Sequence, residues 1–178
     1  KGRANIVVIG EMGSGKTTFL KWLLGFMPDN LVVGTLETTF ELHLDKLYPS
    51  KHWIQLEEQP DYSLQELFAV MLRQNVDVML VGEARSYEVN ELIKAMSRGH
   101  SGSIGTAHSI DAKSVIEDFA DMILESGKKV DLTALKYRIA RAIDIVVKFR
   151  KLPNKRRVCA GIYEIITFDD MNFDAIPI

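Results

Sequence analysis

Cysteine is almost absent: Cys159 is the only one among 178 residues. That excludes a disulfide within the chain and fits a reducing, cytoplasmic setting, with Cys159 expected at a small apolar position of a strand. No apolar run approaches the roughly 18–20 residues that a membrane-crossing helix needs, and no signal-peptide pattern opens the sequence. A surplus of one charge is also lacking. With 22 Lys+Arg against 24 Asp+Glu, the net charge is −2. The domain as a whole therefore carries no electrostatic footprint for nucleic acid. Internal repeats and low-complexity tracts are missing too. What remains, 47% hydrophobic and 26% charged residues, is the composition of one globular α/β domain over residues 1–178 with a sizeable core.

Against that plain background one string stands out. Gly10-Glu11-Met12-Gly13-Ser14-Gly15-Lys16-Thr17 is an intact GxxxxGK(S/T) phosphate-binding loop. Its setting fits as well. The apolar, β-branched run at 4–9 reads as a buried strand before it, and Phe19, Leu20, Leu23 and Leu24 recur at helical spacing after it. Gly10, Gly13 and Gly15 allow the backbone to turn so that N–H groups face phosphate oxygens. The helix starting near Lys16 adds its N-terminal partial charge. Lys16 would reach the β- and γ-phosphates, and the Thr17 hydroxyl would ligate Mg²⁺. The whole loop from Gly10 through Thr18 is the candidate nucleotide site.

The rest of the chain alternates strand and helix. Strands are expected at 4–9, 31–36, 52–57, 77–81 and 103–107, and helices at 16–26, 63–74, 86–98, 111–126 and 132–141. Such alternation implies a mostly parallel sheet with helices on both faces. Ser63 with Glu66 three residues later is a capping-box start. Two β-rich runs, 144–152 and 157–168, joined by Pro153-Asn154-Lys155, read as a C-terminal antiparallel hairpin.

In such folds ligands sit at the carboxyl ends of the strands, so polar residues after predicted strands are weighed first. Glu37 and Glu41, four apart after the strand at 31–36, could both face a metal. Glu83, after the strand at 77–81, either holds Mg²⁺ through water or polarises an attacking water. The usual acid directly after that apolar run is replaced by Gly82, so Glu83 carries the role, with Arg85 beside it. His108, after the strand at 103–107, would sense the γ-phosphate or organise the water. The basic residues Lys148, Arg150, Lys151, Lys155, Arg156 and Arg157 read first as a solvated hairpin. They also keep a nucleic-acid translocase on the same core as the alternative function.

Four strings in this order resemble the type II and type IV secretion ATPase superfamily. Beside the phosphate loop, Thr35 to Leu42 is similar to its acidic "Asp box", with Thr38 where Asp is usual. Leu80-Val81-Gly82-Glu83-Ala84-Arg85 resembles its atypical Walker B, and Gly99-His100-Ser101-Gly102-Ser103 with Thr106-Ala107-His108 resembles its "His box". Among branches, the resemblance points to the tight-adherence pilus and conjugation ATPases. It implies a RecA-like P-loop NTPase fold, ATP/ADP and Mg²⁺ as cofactors, and a homohexamer that couples hydrolysis to protein or pilin transport. It also implies inner-membrane secretion or pilus platform proteins as partners, peripheral association with the inner face of the cytoplasmic membrane through them, and no direct nucleic-acid contact. Family members carry an N-terminal domain that contributes to the nucleotide site. The chain is therefore expected to be a fragment without it, monomeric and weakly active by itself.

Overall fold

β1 (Ile6–Ile9) sits inside the sheet, and its side chains explain why. Val7 and Ile9 enter one buried cluster and Val8 another on the opposite face, as alternating strand residues must when both faces are covered. In a computed structural model describing residues 3–127, 129–168 and 172–178, β1 is followed by α1 (Lys16–Leu24), β2 (Val32–Glu37), α2 (Leu44–Leu47) and β3 (His52–Glu57). Next come α3 (Leu64–Met71), β4 (Val78–Ala84), α4 (Tyr87–Ser97), β5 (Ile104–Ala107), α5 (Val115–Glu125) and α6 (Leu132–Ala142). β6 (Ile145–Lys151), β7 (Arg157–Thr167) and β8 (Phe173–Pro177) close the chain.

The sheet order is β3-β2-β4-β5-β1-β6-β7-β8. β3 through β6 run parallel, and β7 and β8 add antiparallel at one edge. The expected parallel core with a C-terminal antiparallel hairpin is thus present. α1 packs Leu20 and Leu24 on the Val8 face. α4, α5 and α6 cover the Val7 and Ile9 face through Leu92, Phe119, Ile123 and Ile139. α3 starts with the expected capping box, in which Ser63 and Glu66 each satisfy the other's backbone N–H.

Buried Asn5 pins the start of β1. Its side chain donates to the Ala142 carbonyl at 2.8 Å and accepts from the Gly102 N–H at 2.9 Å. Every polar atom of the amide is thereby used, and the strand feeding the phosphate loop is fixed against β5 and α6.

Three features depart from the sequence reading. Two short elements, α2 and β8, lie outside it. α2 spans 4 residues, too short for a periodic signal. Cys159 lies in β7 as expected of a strand residue, but it is exposed. β7 alternates exposed and partly buried residues along most of its length, and Cys159 falls on an exposed stretch. The third departure matters for the site: β4 does not stop at Val81 but continues through Gly82 and Glu83 to Ala84.

Candidate functional site

The phosphate loop leaves the carboxyl end of β1 and turns through three left-handed glycines, Gly10 (φ 148), Gly13 (φ 70) and Gly15 (φ 103). Gly10 has a second reason to lack a side chain, since a Cβ there would lie 2.4 Å from the Phe149 carbonyl oxygen. The Ser14 N–H donates to the Glu11 carbonyl at 3.2 Å and closes the turn. Gly15 is the N-cap of α1 and no side chain caps it. The first-turn amides of that helix therefore remain available to an anion.

Lys16 is buried, with 7% exposure, and folds back into the loop. Its Nζ donates to the Gly10 carbonyl at 2.8 Å and the Glu11 carbonyl at 3.1 Å. Burial lowers its pKa, while the carboxylates of Glu83 and Glu11 pull the other way. A lysine held in this way is short of negative charge and faces a cavity of about 530 Å³. Met12, Gly13, Thr17, Glu37, Glu41, Glu83, Arg85 and His108 line the same cavity. The residues singled out after three separate strands and the loop are therefore brought together. Thr18, on the outer side, lines a smaller recess of about 180 Å³ with Gly13, Ser14 and Gly15. The side chain of Glu11 instead turns to the hairpin and accepts from the Lys151 N–H at 3.2 Å.

Glu83 owes its position to a bulge. Val81 pairs with Gly105 and Ala84 with Ala107, so β4 carries one extra residue over that interval, a device that re-aims a side chain. The Thr106 hydroxyl donates to the Gly82 carbonyl at 2.5 Å and holds the bulge. Glu83 then lies between two nitrogen partners: Oε2 accepts from Arg85 at 2.6 Å, and Oε1 lies 2.5 Å from His108 Nε2. Burial pushes the Glu83 carboxyl up, but the hydrogen bond and charge of Arg85, joined by His108, outweigh it and leave its pKa below the ordinary value. It is an ionised base in a half-buried cleft.

The glycine in the Walker B position also has a local reason. A Cβ on Gly82 would come 3.1 Å from Glu37 Cγ, so an Asp there would crowd a carboxylate arriving from the neighbouring strand. Glu37, 3% exposed, accepts from the backbone N–H groups of Glu41 and Leu42 at 2.9 and 3.0 Å through Oε2. Its Oε1 is buried without a partner, as are Ser14 Oγ and Thr35 Oγ1. Glu41, by contrast, is exposed at the cavity rim.

Burial raises the Glu37 pKa, against the two backbone hydrogen bonds that lower it. An acid whose pKa is raised on folding binds its proton more tightly in the native state. Its contribution to stability is therefore lost as pH rises from the ordinary value of 4.5 through the raised one. Glu37→Gln should accordingly raise the melting temperature at pH 8, by on the order of 1 kcal/mol or roughly 2–4 °C. The gain should vanish near pH 4, where Glu37 is already protonated. Calorimetric melts across pH check this, and a pH-independent difference would contradict the assignment of a strained, ionised Glu37.

The unpartnered oxygens, the uncapped helix and the buried lysine together fit a hydrated divalent cation with a polyphosphate. Among the described residues no group of three or more His, Cys, Asp or Glu forms a metal cage. Mg²⁺ has no need of one, because it is usually bound through one or two protein oxygens, phosphates and retained waters.

Two placements were not legible beforehand. His100, in the same sequence box as His108, lies before β5 at the opposite edge of the sheet, with Nδ1 3.0 Å from the Val76 carbonyl oxygen. Only the His108 half of the box belongs to the site. Arg157, read as part of a solvated hairpin, lies against the phosphate loop, with Nε donating to the Gly13 carbonyl at 2.8 Å. No spacing signal links residues 144 positions apart; only the knowledge that β6 pairs beside β1 could have found it.

Residues 1–170 match the model of the Type II/IV secretion system protein family. The chain is 29% identical over 172 residues to the type IV secretion system protein VirB11 of Bartonella quintana, covering 92% of this chain and 47% of that protein. Its fold is similar to the crystal structure of the VirB11 ATPase of the Brucella suis type IV secretion system in complex with sulphate. The TM-score there is 0.82 at 26% identity, over 91% of this chain and 48% of that one. The pilus retraction motor PilT with bound ADP shares the fold, with TM-score 0.66 at 21% identity over 91% of this chain and 47% of that one. The chain thus spans about half the length of the relatives it matches. With a phosphate loop, a bulged Gly-Glu strand end and a trailing histidine converging on one cavity, and with the family model matched along nearly its whole length, the chain belongs to the Type II/IV secretion system protein family.

Proposed function

We propose that the chain is the Mg²⁺-dependent, ATP-hydrolysing motor domain of a secretion, conjugation or pilus-assembly machine. The observation that carries this reading is the meeting of Lys16 and Thr17 with Glu83, Arg85 and His108 across one cavity at the carboxyl edge of the parallel strands. The amides of Gly13 to Thr18 and the Lys16 ammonium hold the phosphates of ATP or ADP, with Gly10, Glu11 and Met12 shaping the loop. The Thr17 hydroxyl, and Glu83 through water, hold Mg²⁺, which supplies neutralising charge at the phosphates when bound. Glu83, kept ionised between Arg85 and His108, orients the attacking water and accepts its proton. Glu37, with its unpartnered Oε1, and Glu41 at the rim assist metal or water. His108 and Arg85 sense the γ-phosphate through Glu83 and carry its presence to neighbouring structure.

In a protein of the relatives' full length, hydrolysis would bias rigid-body motion between subunits of a homohexamer. The hexamer would be held at the inner face of the cytoplasmic membrane by secretion or pilus platform proteins and drive protein or pilin transport. Among the described residues no helix is long and apolar enough to cross a membrane. Contact with nucleic acid is not part of this reading: Lys148 pairs with Asp111 at 3.4 Å and Arg157 is turned onto Gly13, which breaks the basic hairpin as a continuous stripe.

Steady-state ATPase assays with and without single-stranded DNA, at two salt concentrations, test the proposal. Hydrolysis that requires Mg²⁺ and ignores DNA is expected. Salt-sensitive stimulation by DNA would favour the translocase, and tight nucleotide binding without turnover would leave a scaffold.

A further inference from the structure

The contact between Arg157 and the phosphate loop has a second half. Its aliphatic stem lies flat on Gly15, where a Cβ would meet Arg157 Cδ at 3.2 Å and Cβ at 3.7 Å. Nε is spent on the Gly13 carbonyl, and no carboxylate among the described residues forms an ion pair with the guanidinium. Arg157 also lines the recess of about 180 Å³ into which the loop and the first turn of α1, from Gly13 to Thr18, open. An exposed guanidinium, tied at Nε and without an ion-pair partner among the described residues, thus stands at the mouth of an uncapped helix. Two residues of the same hairpin brace the loop from its other end: the Lys151 N–H donates to Glu11 Oε1, and the Phe149 carbonyl abuts Gly10.

We propose that Arg157 is a nucleotide-binding residue, whose terminal guanidinium nitrogens contact the phosphate chain from the hairpin side while Nε holds the Gly13 carbonyl turned outward. This rests on the nucleotide reading of the loop. Arginine suits both tasks because its planar fork can bond a backbone carbonyl through one N–H and an anion through the others. With the hairpin contributing directly to the bound phosphates, the β6–β7 edge becomes part of the nucleotide site rather than a solvated margin.

Arg157→Gln separates the two tasks. A glutamine amide hangs from Cδ as Nε does, so it can still donate to the Gly13 carbonyl, but it carries no charge and no fork. Titration calorimetry with inorganic tripolyphosphate and with MgADP is expected to show binding about 5- to 20-fold weaker for Arg157→Gln, with a shallower salt dependence and an unchanged melting temperature without ligand. Arg157→Lys, which keeps the charge but not the fork, should restore the salt dependence and recover only part of the affinity. Affinity in Arg157→Gln equal to that of the unaltered protein would overturn the proposal. Loss of binding in Lys16→Ala alongside normal binding in Arg157→Gln would remove this inference and leave the nucleotide reading standing. No binding by the unaltered protein would remove both.

Discussion

Glu83→Gln is expected to hold MgATP within a few-fold of the unaltered protein while turnover falls by on the order of 10²-fold or more. The two effects separate because binding and chemistry fall on different elements. On the proposed reading phosphate capture belongs to Lys16 and the amides of the loop and α1, none of which touches the Glu83 side chain through a hydrogen bond. On the same proposed reading the reacting water needs an ionised acceptor, and Glu83 would supply it because Arg85 at 2.6 Å and His108 at 2.5 Å stabilise the carboxylate against its partial burial. Glutamine keeps the length and the bulge geometry but presents a neutral oxygen on one side and an N–H on the other. One of its two nitrogen partners, Arg85 or His108, then faces an N–H, so the cluster loses a contact as well as its negative charge. Single-turnover hydrolysis and nucleotide titration on the same preparation read the two quantities. Normal hydrolysis would make Glu83 structural and pass the role to Glu37 or Glu41.

The legible part of this molecule was what periodicity and local chemistry encode. A buried β-branched run, a glycine-spaced loop and a helix with apolar residues on one face placed β1, the phosphate loop and α1 within a few residues. Alternation of such units implied a mostly parallel sheet with helices on both faces, because a helix between two strands returns the chain to run the second strand parallel to the first. Local signals failed where a long-range neighbour decides. Val81 to Ala84 reads as a strand end followed by a loop, yet pairing with β5 carries the strand through a bulge to Ala84. Gly82 looks like a missing acid until Glu37 is seen beside it on β2. His100 and His108 share one sequence box, but the whole of β5 separates them, so they end on opposite edges of the sheet. Arg157 could be placed only once β6 was known to lie next to β1. In each case the missing information was which strand is adjacent to which, a tertiary fact that outweighs local pattern.

Those same adjacencies give the site its division of labour. Glu37 and Glu83 are two carboxylates of one cavity with oppositely displaced pKa values: burial raises the first, while in the second Arg85, joined by His108, outweighs burial and lowers it. Environments that push two acids apart assign them different roles. Glu83 is ionised at neutral pH, whereas Glu37 is the acid that any cation entering the cavity would relieve. Binding of such a cation should therefore stabilise the protein most at alkaline pH, where the ionised Glu37 is most costly.

Lys16→Ala carries the other large expected effect, and it should be confined to binding. Lys16 Nζ is buried among the Gly10 and Glu11 carbonyls, and desolvation already lowers its pKa. A polyphosphate entering the loop offers this ammonium a stronger partner than two neutral carbonyls, in surroundings that screen the attraction poorly. Alanine removes the charge and should cost about 2–4 kcal/mol of nucleotide affinity, or roughly 30- to 1000-fold in Kd. The ligand-free protein should not suffer comparably. Truncation leaves two carbonyls with one donor fewer, but it also removes a buried cation that no carboxylate touches directly. Of the two carbonyls, that of Glu11 still accepts from the Ser14 N–H. The melting temperature without ligand should accordingly stay within a few degrees of the unaltered protein, and the ATP-dependent rise in melting temperature should disappear. Calorimetric titration with a non-hydrolysable ATP analogue, beside thermal melts with and without it, measures both. Unchanged affinity would mean that the loop does not hold phosphate through Lys16. A collapse of the ligand-free fold would mean that the lysine serves the architecture of the loop rather than its ligand.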